Sequence, residues 1–138
     1  MHATAEILTQ HGIRPSLQRT TVLRFLRSVK THPTVDEIYQ ALLPENPSLS
    51  RTTVYNTLEL LCGHGLVSTL DFGEGFLRYD AVHTPHCHFK CSGCGRVFDI
   101  MTAPPDGLGV LPEGFVLKAV QLKFLGLCKK CSRNEKAK

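Results

Sequence analysis

The chain has 138 residues, 42% hydrophobic and 20% charged, with no internal repeat or low-complexity segment; this excludes a fibrous or disordered protein and leaves one large or two small domains. The formal charge of +4 is uneven: residues 1–80 carry seven Lys/Arg against eight Asp/Glu and residues 81–138 nine against four, so bulk charge marks no generic polyanion binder. The start MHATAEILTQ lacks the charged head and apolar run of a secretion signal, and no stretch approaches the length that crosses a bilayer, so a cytoplasmic protein with reduced thiols and no membrane partner is expected.

The first half reads as helices with short connections. Ala3–His11 is a short helix stopped by Gly12. From Ser16 to Lys30, Val22, Phe25, Leu26 and Val29 recur at helical spacing and define a buried face, leaving Arg19, Arg24 and Arg27 outward. Thr34 with Glu37 is a capping box that opens a helix burying Ile38, Ala41 and Leu42 and ending near Pro44. Ser50 then caps a helix from Arg51 to Gly63 with Val54, Leu58 and Leu61 inside and Arg51, Thr52, Tyr55, Asn56 and Glu59 outside. Two strands, Leu66–Asp71 and Phe76–Tyr79, joined through a glycine-bearing turn at 72–75, complete a winged helix-turn-helix over residues 1–80.

In that fold the final helix enters the major groove of double-stranded DNA. Arg51, Thr52, Tyr55 and Asn56 are therefore the candidates for base edges, and Arg14, Arg19 and Arg24 for phosphates. The same pattern also describes a helical bundle with an ordinary solvated face.

Beyond residue 80 the pattern turns to strands, at Cys87–Lys90, Arg96–Ile100 and Phe115–Leu125, the last alternating Val120, Leu122 and Phe124 with polar residues. The proline- and glycine-rich stretch 102–114 allows only a short or broken helix, and Arg133–Lys138 is a basic tail expected to fray. Cys91 and Cys94, then Cys128 and Cys131, form two Cys-x-x-Cys knuckles that complete a four-sulfur tetrahedral shell for structural Zn²⁺. A half-chain of this size sits near the lower limit for a self-sufficient core, so a metal staple is physically expected. The fold class is thus α+β: an N-terminal winged helix, then a small α/β domain at 81–138 held by zinc.

Asp80, His86, His88 and Asp99 gather around the first knuckle in sequence. His86 and His88 are two apart, so an extended strand turns both rings to one side, and the carboxylates add hard oxygens. Nitrogen and oxygen donors without sulfur suit Fe²⁺, Mn²⁺ or Zn²⁺ in an expanded shell. A His-x-His pair alone leaves the site open, because surface histidines are common.

The segments His32-Pro33-Thr34-Val35-Asp36-Glu37-Ile38-Tyr39, Thr53-Val54-Tyr55-Asn56-Thr57-Leu58, Arg78-Tyr79-Asp80, His86 through Gly95, and Gly126-Leu127-Cys128-Lys129-Lys130-Cys131 resemble, in order, the signatures of the ferric uptake regulator (Fur) family. The likeness covers nearly the whole chain and is nearest to the peroxide-responsive branch, PerR, because Asp99 stands where iron-sensing members usually have Glu and the recognition helix reads Val54-Tyr55-Asn56. The resemblance implies a homodimeric repressor of palindromic operator DNA. It adds His32 as a fifth ligand beside Asp80, His86, His88 and Asp99, so that one Fe²⁺ or Mn²⁺ ties the DNA-binding half to the dimerisation half and its loss frees a hinge near Asp80. In peroxide-responsive members Fe²⁺ at this site reacts with peroxide and a ligand histidine is oxidised, whereas Mn²⁺ binds without reacting. By likeness His32 and His86 are the oxidation-sensitive residues.

The chain departs from the family in Cys87 between the two histidines, in the absence of a histidine from the last strand, and in the 102–114 stretch, which implies a smaller dimer interface. The nearest alternative is an iron- or zinc-uptake repressor of the same family without peroxide sensing. A metalloenzyme is disfavoured by the lack of a Glu beside the histidines for general-base work. A thiol-redox module built on the Cys-x-x-Cys pairs is the third reading.

Overall fold

A computed structural model describes residues 2–81, 86–101, 111–117 and 121–136. The chain divides into two compact units, Met1–His83 and Thr84–Lys138. Among the described residues no helix is long and apolar enough to cross a membrane.

The first unit contains helices α1 (His2–Gln10), α2 (Leu17–Ser28), α3 (Val35–Leu42) and α4 (Arg51–Gly63), followed by strands β1 (Ser68–Leu70) and β2 (Arg78–Asp80). Gly12 ends α1 at φ +76°, a left-handed conformation that L side chains rarely adopt. The hydroxyls of Ser16, Thr34 and Ser50 each accept from the backbone N–H three residues on, so all three caps read from sequence form. At Thr34 the hydroxyl also donates to the Glu37 carboxylate at 3.2 Å.

Leu8, Leu23, Leu26, Ile38, Val54, Leu58 and Leu61 are almost fully buried and form the centre of the core. Two expected core positions differ. Helix α2 stops at Ser28, whose hydroxyl donates to the Phe25 carbonyl at 2.7 Å, so Val29 turns extended and Leu23 takes the inner place expected for it. Ala41 is exposed rather than buried. In this short helix Val35, Ile38, Tyr39 and Leu42 face the core, and Ala41 lies more than a quarter turn off that stripe.

The β1–β2 hairpin is antiparallel, with Ser68 opposite Asp80 and Leu70 opposite Arg78, and is shorter than its apolar pattern suggested. The Leu66 N–H is spent on the Leu61 carbonyl at 3.0 Å, closing the end of α4 instead of joining a ladder. On the turn side the Gly73 N–H is taken by the Asp71 carboxylate at 2.9 Å.

The second unit holds strands β3 (Cys87–Cys91), β4 (Val97–Ile100) and β5 (Lys123–Gly126) and helix α5 (Lys129–Lys136). Strand β3 is central, antiparallel to β4 and parallel to β5. The expected strand from Phe115 to Leu125 reduces to β5, because pairing with β3 spans only His88↔Lys123 to Cys91↔Gly126. Phe115, Val116 and Leu117 are exposed and outside any strand, and residues 118–120 lie outside the described residues, as do 102–110 of the proline- and glycine-rich stretch. The basic tail is helical through Lys136 rather than frayed: it has no Gly or Pro, and the Ser132 N–H closes the first turn onto the Cys128 carbonyl at 2.8 Å. Among the described residues, the only apolar side chains of this unit that are buried are Cys87 and Cys91.

Candidate metal centres and nucleic-acid face

Strand pairing assembles the four cysteines. Cys91 ends β3 opposite Gly126 of β5, so the chain leaving β5 carries Cys128 and Cys131 to the knuckle formed by Cys91 and Cys94. The four Sγ atoms lie within 4.8 Å of one another, and Cys94 and Cys128 are 3.9 Å apart. Four sulfurs around Zn²⁺ at about 2.3 Å stand roughly 3.8 Å from each other, so the arrangement fits that ion with little adjustment. The Cys128 and Cys94 N–H groups point at the Cys91 sulfur at 3.3 and 3.5 Å. These bonds, that from Cys128 foremost, lower the Cys91 pKa to about 6, whereas hydrogen bonding to Cys91 and Cys128 pushes Cys131 up to about 12. Cys91 is thus a thiolate at neutral pH before any cation arrives.

Gly93 is required by close approach: a Cβ there would stand 2.9 Å from both Cβ and Sγ of Cys131. A Gly93→Ala substitution is expected to push the second knuckle away and weaken zinc retention about 10- to 100-fold, the scale of supporting-residue losses at metal sites. Competition against a chromophoric chelator checks this; an unchanged zinc affinity would refute it.

The nitrogen and oxygen donors fall into two groups, one in each unit. In the first unit the loop before α3 carries His32, and β2 ends in Asp80. The Tyr79 N–H donates to the Pro33 carbonyl at 3.0 Å, which lays the loop along β2 and brings His32 Nε2 to 4.0 Å from Asp80 Oδ2. His32 and Asp80 are 2% and 7% exposed, a degree of burial that ionisable groups rarely accept without a partner of opposite charge or a metal. His32 has φ +54°, and is the one non-glycine residue with positive φ among those described.

In the second unit Asp99 of β4 stands directly opposite His88 of β3. Nε2 of His88 lies 3.6 Å and Nε2 of His86 3.7 Å from the same oxygen, Asp99 Oδ1. The two rings are 4.6 Å apart edge to face, the same-side placement that a two-residue spacing predicts. These distances are too long for hydrogen bonds and match ligand atoms around one ion with bonds of about 2.0–2.2 Å. Cys87, between the histidines, is buried and turned to the other side of the strand.

The outer face of α4 presents Arg51, Thr52, Tyr55 and Asn56, all exposed. A groove of about 630 Å³ beside it is lined by Arg14, Ser16, Gln18, Arg19, Thr53 and Asn56, with the Arg19 guanidinium donating to the Arg14 carbonyl at 2.7 Å. Arg24 is exposed on the next turns of α2. Sequence reasoning missed the contacts that orient this face. Arg51 Nε donates to Asp36 at 2.7 Å and its guanidinium stacks over Tyr39 at 4.6 Å, while the Tyr55 hydroxyl donates to Glu59 at 2.8 Å, which raises the Tyr55 pKa. Exposed ion pairs of this kind contribute about 0–1 kcal/mol, so Asp36 holds the Arg51 guanidinium only weakly. Cys62 packs against the core from the last turn of α4, and burial pushes its thiol pKa up, which disfavours reactivity.

Residues 10–123 match the ferric uptake regulator family. The peroxide operon regulator of Bacillus subtilis (strain 168) is 35% identical over 133 residues, covering 94% of this chain and 92% of that protein. The peroxide-responsive repressor PerR of Staphylococcus aureus is 37% identical over 127 residues, covering 90% and 86%. A solved structure of PerR from Streptococcus pyogenes, described for peroxide sensing and gene regulation, is similar with a TM-score of 0.53 at 28% identity, covering 91% of this chain and 88% of that one.

Proposed function

Because the chain belongs to the ferric uptake regulator family, we propose that it is a metal-dependent, peroxide-sensing transcriptional repressor that grips palindromic operator DNA as a homodimer. The donor set carries this reading. His32 and Asp80 in one unit, and His86, His88 and Asp99 in the other, offer nitrogen and oxygen without sulfur, which suits Fe²⁺ or Mn²⁺. One ion taking ligands from both units selects the arrangement in which two recognition helices meet successive major grooves. Cys91, Cys94, Cys128 and Cys131 hold structural Zn²⁺ apart from this switch.

Fe²⁺ held by His32, Asp80, His86, His88 and Asp99 would supply the one-electron reduction that opens the peroxide O–O bond, a chemistry Mn²⁺ would not supply. The chain's own part is to be the reductant consumed: for each peroxide one oxygen would enter an imidazole carbon of His32 or His86 in place of its hydrogen, the other would leave as water, and the oxidised ring would cease to be a ligand. The reaction consumes the site, so the protein acts as a regulator rather than an enzyme. Reduced thiols and a DNA target fit the cytoplasm.

Arg51, Thr52, Tyr55 and Asn56 meet base edges, and Arg14, Arg19 and Arg24 meet phosphates. The second unit exposes apolar side chains, Phe115, Val116, Leu117, Phe124 and Leu125 among them, which a second copy would cover in the dimer.

Operator binding by Fe²⁺- and Mn²⁺-loaded protein, before and after peroxide, tests the reading. The Fe²⁺ form is expected to release DNA and to gain oxygen mass on the peptide containing His32 or His86, with the Mn²⁺ form unaffected. Release with unchanged histidine mass and oxidised cysteines would overturn it.

A further inference from the structure

Arg78, one residue from Tyr79 and two from Asp80, is not a ligand in the reading above, yet it ties the hairpin turn to the His32 loop. Its guanidinium is gripped by Glu74 of the hairpin turn through two bonds, Nε to Oε1 at 2.8 Å and Nη2 to Oε2 at 3.0 Å. The fork still reaches the other way. Nη1 donates to the carbonyl of His32 at 3.2 Å and lies 3.9 Å from Glu37 at the start of α3. The ring of Phe76 stacks on it with its centroid 5.5 Å away. The side chains of Arg78 and Glu74 are 15% and 17% exposed, so solvent screens this pair far less than a surface one. Hydrogen bonding to Glu74 raises the Arg78 pKa further.

The carbonyl that Arg78 holds belongs to the residue at φ +54°. A histidine keeps a left-handed backbone only where its surroundings over-determine it. Two contacts fix this backbone: the Arg78 bond to the His32 carbonyl, and the Tyr79 N–H on the next carbonyl, Pro33. The strained peptide sets the direction of the His32 imidazole toward Asp80.

We propose that Arg78 is the positioning residue of the His32–Asp80 pair: clamped by Glu74, it holds the His32 backbone in its ligating conformation and thereby couples metal binding to the turn of the wing. The inference rests on the metal reading of that pair. Coupling runs both ways by linkage, so metal uptake orders the turn at 72–75 and a slackened turn weakens metal uptake. Lysine cannot replace the arginine, because one ammonium does not grip both Glu74 oxygens and the carbonyl in this planar geometry.

The test uses full-length, zinc-loaded protein carrying Arg78→Lys or Glu74→Gln, with Mn²⁺ as the probe. Mn²⁺ affinity, followed by the electron paramagnetic resonance of free Mn²⁺, is expected to fall about 10- to 100-fold in both variants, the range for residues that orient metal ligands. Zinc content and helix content should stay at wild-type values. Amide exchange at Gly73–Phe76 should slow on adding Mn²⁺ to the wild type and not to the variants. Wild-type Mn²⁺ affinity in both variants, or slowing of the turn that survives Arg78→Lys, overturns the coupling while leaving the metal reading intact. Mn²⁺ binding that is unaffected by His32→Ala in the wild-type background sinks the metal reading and this proposal with it.

Discussion

Cys128→Ser is expected to unfold the second unit and leave the first folded. The reason lies in what each unit buries. Leu8, Leu23, Leu26, Ile38, Leu58 and Leu61 give the first unit an aliphatic core, whereas Cys87 and Cys91 are the only buried apolar side chains described in the second. A three-stranded sheet with that little apolar burial has almost no hydrophobic driving force of its own. A structural zinc shell contributes about 10–16 kcal/mol in small metal-dependent domains, more than the whole stability of most of them. Serine removes one thiolate and, with it, the sulfur that Cys94 approaches at 3.9 Å. Amide exchange is the readout: protection should disappear from β3, β4 and β5 and persist in α2 and α4, with zinc lost from the protein. Retained protection in β3 of a zinc-free Cys128→Ser protein would show that the second unit folds on other interactions.

His32→Ala is expected to abolish metal-dependent operator binding while leaving zinc content and fold intact. To carry a two-state protein from 1:99 to 99:1, a metal must favour the binding-competent state about 10⁴-fold, equivalent to roughly 5.5 kcal/mol. On the proposed reading, removing one of the five ligands reduces that preference below what the switch requires. Operator affinity in saturating Mn²⁺ should then fall by about 100-fold or more, toward the value of the metal-free protein. The first unit should stay folded, since Leu8, Leu23, Leu26, Ile38, Leu58 and Leu61 and the Tyr79 bond to Pro33 are untouched, although the cavity left beside the buried Asp80 lowers its melting temperature. Fluorescence anisotropy on labelled operator DNA, with and without Mn²⁺, measures the effect. If the variant still shows the full Mn²⁺ response, the ion does not use His32 and the bridge between the two units does not exist.

The elements legible from sequence were those whose signals are local. Ser16, Thr34 and Ser50 cap the helices they precede because a hydroxyl accepting from a neighbouring N–H needs only a few residues of chain. The same-side placement of His86 and His88 follows from the two-residue repeat of a strand, and the cysteine pairs follow from the bite of one metal. Strand lengths were not legible, because a ladder ends where its partner's free N–H groups end. β5 stops with the pairing surface of β3, and β1 starts late because Leu66 is committed to the end of α4.

The chain's order of residues by itself determined which donors are present and which helices form in the first unit, since cap chemistry, repeat period and ligand type are properties of short stretches. Tertiary structure alone decided that Asp99 faces His88 across β3 and β4, that Gly93 must be bare so that Cys131 can close on it, and that Arg78 grips both Glu74 and the backbone of His32. Those three depend on distances between segments far apart in sequence, which packing and pairing set and no local pattern encodes.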